Sequence, residues 1–456
     1  MRTLLSDLVI NRPSSDSYQD YLLGLRGLLV LESFLWIFLQ TFVPAVVKGA
    51  DSTTGPTYQV ILRKTLSVLF WNENLLYSFF IILSARTICI SFIARSTKTE
   101  VAGAVFRRAL RLWFPVALSL AITYAIFSAT GIAYIDEYKR ISGNSSFETP
   151  YQIPNALAYL NSVFDVFWIT HSFATQAANY AFPSQTLWVI SVIFLQSYTV
   201  YMTMIIIPYT KHAWRMQAYF CFVITAWWVQ SWAWYSVTGL LLADMVMNMD
   251  FKAKSRRGIH VWRKLRCPGW VPATVLMFAG LTMQYLWTAW KPEYRNAELV
   301  AHTAIYSSSG GLNRDYDVRQ PQARIDCYLI VLGFCLILES FDFLQTVFKT
   351  PFLVSLGKRS LSRSALHLAL QDSLARGTEL SLSTGWFLVQ GIVIYTAGIK
   401  LWLHLHNTQA CSDGTAVLIC LVVSLAGVAL GAEVFYRLVD TPSRLLAHRM
   451  FHWIRE

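Results

Sequence analysis

Residues 25–40 read LRGLLVLESFLWIFLQ, a stretch with the apolarity of a membrane span and one carboxylate, Glu32, near its middle. A span needs about 20 mostly apolar residues. An ionisable group at its centre costs at least about 2.5–3.5 kcal/mol, so such a group normally faces a cavity or a partner. Trp36 and Gln40 follow Glu32 at i+4 and i+8 and share its helix face. The sequence therefore predicts a polar and aromatic stripe turned inward.

The rest of the chain has the same character. Its 456 residues are 55% hydrophobic and only 14% charged, with a mean hydropathy of +0.42, which excludes an ordinary soluble protein. Apolar runs near 27–47, 74–94, 112–130, 186–207, 217–233, 235–249, 270–289, 324–346, 386–404 and 415–436 predict an all-α polytopic bundle of about ten transmembrane helices, with a more polar stretch at 352–372. The net charge of +12 sits mainly in short loops, at Arg95 to Arg111, Lys211 to Arg215 and Lys252 to Arg266. That placement is membrane topology rather than nucleic-acid binding, and by the positive-inside rule these loops and the N-terminus are cytosolic. The opposite loops then face a lumen, where Asn144-Ser145-Ser146 forms an N-glycosylation acceptor pattern. We expect an endomembrane location such as the endoplasmic reticulum, with a cytosolic segment 1–24, one membrane domain 25–442 and a basic cytosolic tail 443–456. Residues 1–20 lack the apolar core of a cleavable signal peptide. The seven cysteines show no CxxC or paired spacing, so they read as packing residues.

Ionisable residues at bilayer depth are Glu32, Arg86, Asp244, Glu339, Asp342 and His367, with Lys400 and Glu433 nearer the span ends. A structural pairing, for example of Arg86 with a carboxylate, is the plain alternative to a functional role. Glu339 and Asp342 stand at i, i+3, which places them on one helix face and would raise one pKa or call for a cation between them. His404 and His406 imply no third ligand, and no metal is expected. The sequence has no GxSxG, P-loop, HExxH or acidic DDxxD-like cluster.

Five ordered segments resemble the acyltransferase-3 family of integral membrane O-acyltransferases: Gly24-Leu25-Arg26-Gly27; Tyr77-Ser78-Phe79-Phe80-Ile81-Ile82-Leu83-Ser84; Phe106-Arg107-Arg108-Ala109-Leu110-Arg111; Leu356-Gly357-Lys358-Arg359-Ser360-Leu361-Ser362 with His367; and Tyr436-Arg437-Leu438-Val439-Asp440-Thr441-Pro442. The resemblance implies about ten helices around a buried site that transfers an acyl group from a coenzyme-A thioester. Its departures bear on the chemistry. The family's first-span histidine, the base eleven positions after the arginine, falls on Ile37, and the glutamate of its W.LSVE pattern falls on Ile193 of Leu187-Trp188-Val189-Ile190-Ser191-Val192-Ile193. General-base help is typically worth about 10²–10⁴-fold.

Two enzymatic readings follow. In one, acyl-coenzyme A serves as co-substrate, no cofactor is bound, and an acyl group goes to a hydroxyl of a lipophilic small molecule of polyprenyl, terpenoid or polyketide type. Arg26, Arg107, Arg108 and Arg111 then hold the thioester phosphates, Glu32, His367, Asp342 or Glu339 handles protons, and Trp36, Gln40, Arg86 and Trp188 line the site. In the other, a carboxylic acid kept neutral by burial protonates an olefin or epoxide of a polyprenyl chain, and aromatic walls, including Trp227, Trp228, Trp232 and Trp234, stabilise the cation without metal. A non-enzymatic transporter or scaffold on the same fold is the third reading.

Overall fold

The computed structural model describes residues 20–47, 55–95, 98–144, 147–169, 172–262, 265–299, 321–358 and 381–455. Among them the chain is helical apart from turns and one short antiparallel hairpin, β1 (Ile259–Trp262) with β2 (Leu265–Cys267), inside the basic segment. Six segments are long and apolar enough to cross a membrane. They are α1 (Asp20–Phe42), Thr57–Ile90 with most of α2 (Glu73–Arg95), Ala102–Thr130 of α3 (Lys98–Thr130), Pro183–Ile206 with α4 (Trp188–Ile206), and two joined pairs. The first pair, over Gly385–Asn407, links α11 (Ser381–Val393) to α12 (Ile399–Asn407) through π-helical turns at Ile394–Gly398. The second, Asp413–Arg455, links α13 (Asp413–Phe435) to α14 (Thr441–Arg455) through π-helical turns at Tyr436–Asp440.

The protein is thus a helical membrane bundle, but the expected ten spans are not there. Three of the ten runs give helices of 17, 16 and 16 residues: α5 (His212–Trp228), α6 (Ala233–Asn248) and α7 (Trp270–Tyr285). At about 1.5 Å per residue α5 and α6 are shorter than the roughly 30 Å apolar layer, and α7, though continued by π-helical turns at Leu286–Trp290, is not among the six segments long and apolar enough to cross. A fourth run breaks: α8 (Ile325–Ser340) and α9 (Asp342–Phe348) meet at 104°, and counting the bent pair as one span gives seven.

Lipid tails are as apolar as leucine, so close packing and interhelical hydrogen bonds, more than the hydrophobic effect, hold such helices together. The clearest instance joins two distant motifs. A Cβ on Gly24 or Gly27 of α1 would collide with the carbonyl of Phe348 or Leu353, and one on Gly357 would collide with that of Leu23. The glycines of the first and fourth quoted segments therefore exist to let α1 press its backbone against α10 (Pro351–Lys358). The buried core beside this crossing is aromatic, with Phe34, Phe38, Tyr77, Trp188 and Phe387 contributed by α1, α2, α4 and α11.

Candidate functional site

Near the start of α1, Arg26 is buried and donates from Nη2 to Thr87 Oγ1 at 2.5 Å and to the Leu83 carbonyl at 3.1 Å. From the other side Arg108 of α3, also buried, donates to Ser84 Oγ at 3.0 Å. Two guanidinium groups thus converge on one turn of α2, Leu83 to Thr87. The serine and threonine of that turn are short enough for helix backbones to approach and polar enough to accept both cations.

Further along α2 towards its N-terminus lies a buried aromatic cluster, called the chamber below. Tyr77 is fully buried and receives the ring of Trp36 edge-on at 5.7 Å, Trp188 at 5.0 Å and Phe387 at 6.2 Å; Trp232 extends the wall, 5.9 Å from Trp188. Edge-to-face pairs at these separations are favourable beyond their contact area. The polar atoms nearby are left over. Gln390 of α11 gives Nε2 to Ser33 Oγ at 2.7 Å, while its Oε1, the Tyr77 hydroxyl and the indole N–H of Trp386 find no partner among the described residues. A buried unpaired polar atom costs about 1–3 kcal/mol. These unpaired atoms lie on α2, at Tyr77, and on α11, at Trp386 and Gln390. The cluster thus sets a few polar atoms among buried aromatic rings.

Trp36, Trp188, Arg26 and Arg108 are therefore brought together by the fold, around α2. Glu32 and Gln40 are half-buried, not fully inward, so the expected stripe is inward at Trp36 and open at its two polar members. Glu32 has no hydrogen bond or ion pair with a described residue. Ile37 is buried among apolar side chains, and Ile193 is partly buried.

Other expected residues are placed elsewhere. Arg86 and Glu339 form a buried ion pair at 2.5 Å, and Tyr21 closes it with Oη to Glu339 Oε1 at 2.6 Å, accepting from Arg86 Nη2 at 3.1 Å. This is the structural pairing anticipated as the plain reading of Arg86. The expected common face of Glu339 and Asp342 does not exist, because the helix turns at Phe341, whose backbone is extended. Asp342 instead lies exposed against Lys252 and Arg256. The arginine set divides in the same way. Arg107 donates to its own helix at Gly103 and lies 5.9 Å from the Phe451 ring, and Arg111 faces Asp440, so both look towards α14 and away from the chamber. Asp244 is paired with Arg215 at 3.2 Å. Of the tryptophan cluster, Trp232 reaches the chamber, Trp234 stacks on Tyr328, Trp227 donates to Glu298 Oε1 at 3.1 Å and Trp228 is exposed. His406 stacks on Trp402, 4.9 Å away and nearly parallel. His367 lies outside the described residues.

Asn144, the expected acceptor, packs against the end of α1. Its side chain is buried, and Nδ2, the atom a glycan would use, donates to the carbonyls of Gln40 at 3.0 Å and Thr41 at 3.1 Å. The folded protein does not present this nitrogen.

The sequence does not single out Tyr77, Gln390, Ser33 or Trp386 as site residues. Gln390 carries a signal that could have found it, an amide inside an apolar run; Tyr77 and Trp386 carry none, since one aromatic among many is indistinguishable in sequence. No protein-family model, curated protein or solved structure matches the chain.

Proposed function

We propose that the protein is a membrane enzyme that transfers an acyl group from a coenzyme-A thioester to a hydroxyl of a lipophilic small molecule, as its segments resembling acyltransferase-3 proteins imply. The observation that carries the reading is the convergence of Arg26 and Arg108 on the Leu83–Thr87 turn beside an aromatic chamber with unpaired polar groups. The arginines hold phosphate or thioester oxygen, and the chamber holds the acceptor. Its hydroxyl oxygen attacks the thioester carbonyl, the carbon–sulfur bond breaks, and the hydroxyl proton passes through a base to the departing thiolate. With Ile37 in place of histidine that base is Glu32 or His367.

A second reading has its own support, because Glu32 meets no cation among the described residues and Trp36, Tyr77, Trp188 and Trp232 form a wall able to stabilise positive charge. There Glu32 protonates an olefin or epoxide and the substrate cyclises. The charge pattern supports an orientation with the Arg26 and Arg108 end cytosolic, in an endomembrane.

Membranes carrying the protein, incubated with a polyprenylated phenol or epoxide with and without acyl-coenzyme A, separate the readings by product mass. A thioester-dependent gain of the acyl mass is the expected result. A product of unchanged mass formed without thioester supports cyclisation, and unaltered substrate across lipophilic acceptors refutes both.

A further inference from the structure

Helix α14 runs antiparallel along the first half of α3: Phe451 stacks beside Phe106 at 6.0 Å, and Val439 and Ser443 lie beside Ala117 in one groove. Between the two helices lies a groove of about 650 Å³ with walls of Phe114, Leu118, Leu438 and Leu446. Leu118, Leu438 and Leu446 are 43%, 71% and 42% exposed, so the groove opens sideways from the bundle. Its mouth is basic. Arg449 lines it and is exposed, and α14 carries three arginines and two histidines in residues 441–455 without one carboxylate. Arg107 and Arg111 face this helix from α3. Asp440 engages Arg444 and Arg111, whereas Arg107 and Arg449 meet no carboxylate among the described residues. The 77% exposed Trp453 stands one helical turn beyond Arg449, where an interfacial tryptophan belongs.

Along one seam the surface thus passes from apolar groove to uncompensated cations. From Leu118 to Arg107 is 11 residues, or roughly 16 Å at 1.5 Å per residue, the reach from the upper part of an acyl chain to its head group. We propose that the α3–α14 seam binds an anionic phospholipid, with an acyl chain in the groove and the phosphate between Arg449 and Arg107. Charge complementarity selects the occupant: a zwitterionic lipid carries its own cation and gains little from two more. The proposal does not use the chamber residues, and it fails or stands apart from the enzymatic reading.

The test uses the full chain in detergent and compares retention of phosphatidic acid with phosphatidylcholine of the same acyl chains by native mass spectrometry. Phosphatidic acid is expected to bind at least tenfold more tightly. Arg449→Gln and Arg107→Gln are each expected to weaken it about fivefold, the effect of one juxtamembrane basic residue near an anionic surface. Leu118→Trp, which fills the groove and leaves the charge unchanged, is expected to weaken it as well, with an elution profile like wild type. Equal binding of the two lipids overturns the proposal. So does an equal loss with Arg437→Gln, whose side chain pairs with Glu433 outside the seam, because that would mean general surface charge. Displacement of the lipid by acyl-coenzyme A at stoichiometric concentration also overturns it, in favour of a thioester-phosphate site.

Discussion

Glu339→Gln isolates the buried ion pair that ties α1, α2 and α8 together. Arg86 is 0% and Glu339 3% exposed, and their charged atoms lie 2.5 Å apart. At an effective dielectric of 20 the Coulomb attraction is about 6–7 kcal/mol, most of it set against the desolvation of two ions. Glutamine keeps the shape and the contact with Tyr21 but leaves the guanidinium uncompensated, which costs about 3–5 kcal/mol. For a chain of 456 residues that is a fall in unfolding temperature of roughly 3–5 °C. The assay is thermal unfolding in nanodiscs, followed by tryptophan emission. The double variant Arg86→Met with Glu339→Leu removes both charges and is expected to recover most of the loss. The reasoning is refuted if Glu339→Gln unfolds with the wild type, or if the double variant is no better than the single one. A loss of turnover with unchanged stability would return Glu339 to the catalytic set.

Other changes are predicted from the same contacts. Gly357→Leu places a side chain against the Leu23 carbonyl, so we expect it to abolish the monodisperse elution peak, whereas Gly414→Ala, where a Cβ meets open space, leaves it intact. Asp342→Asn loses only exposed ion pairs and should move stability by less than about 0.5 kcal/mol in denaturant titration. Burial pushes the Glu298 carboxyl above its ordinary value, opposed by the Trp227 and Ile325 N–H donors. A carboxyl raised in the folded state stabilises fully below its unfolded value and loses that contribution as pH rises through the folded one. The unfolding temperature of wild type relative to Glu298→Gln should therefore fall from acid to neutral pH; a rise would contradict the assignment. Endoglycosidase treatment should leave gel mobility unchanged because Asn144 Nδ2 is engaged.

The helical membrane character was legible because 16–23-residue apolar runs can form little else in lipid. The span count was not, since hydropathy does not mark where a helix stops: α5 ends at Trp228 and α8 bends at Phe341 for reasons of packing, not of composition. Arg26 and Arg108 were legible as cations in apolar surroundings, and the fold adds what sequence cannot, that they meet at one turn of α2 while Arg107 and Arg111, one and three residues from Arg108, turn to α14. The helical period of 3.6 separates such neighbours by construction. Glu339 and Asp342 show the reverse failure, a correct helical spacing cancelled by a break between them. What marks Tyr77 and Gln390 is the burial of the Tyr77 hydroxyl and the Gln390 Oε1 without a partner among the described residues, which sequence does not show.

The measurement that tests the central claim most directly pairs the stability and the turnover of Tyr77→Phe, using an acceptor found by the product-mass assay. The hydroxyl is buried and unpaired among the described residues, so removing it should leave stability unchanged or raise it by about 1 kcal/mol, while turnover falls because the chamber has lost a polar contact to its substrate. Full turnover in a stable Tyr77→Phe protein would mean that the chamber is packing and that the site lies elsewhere.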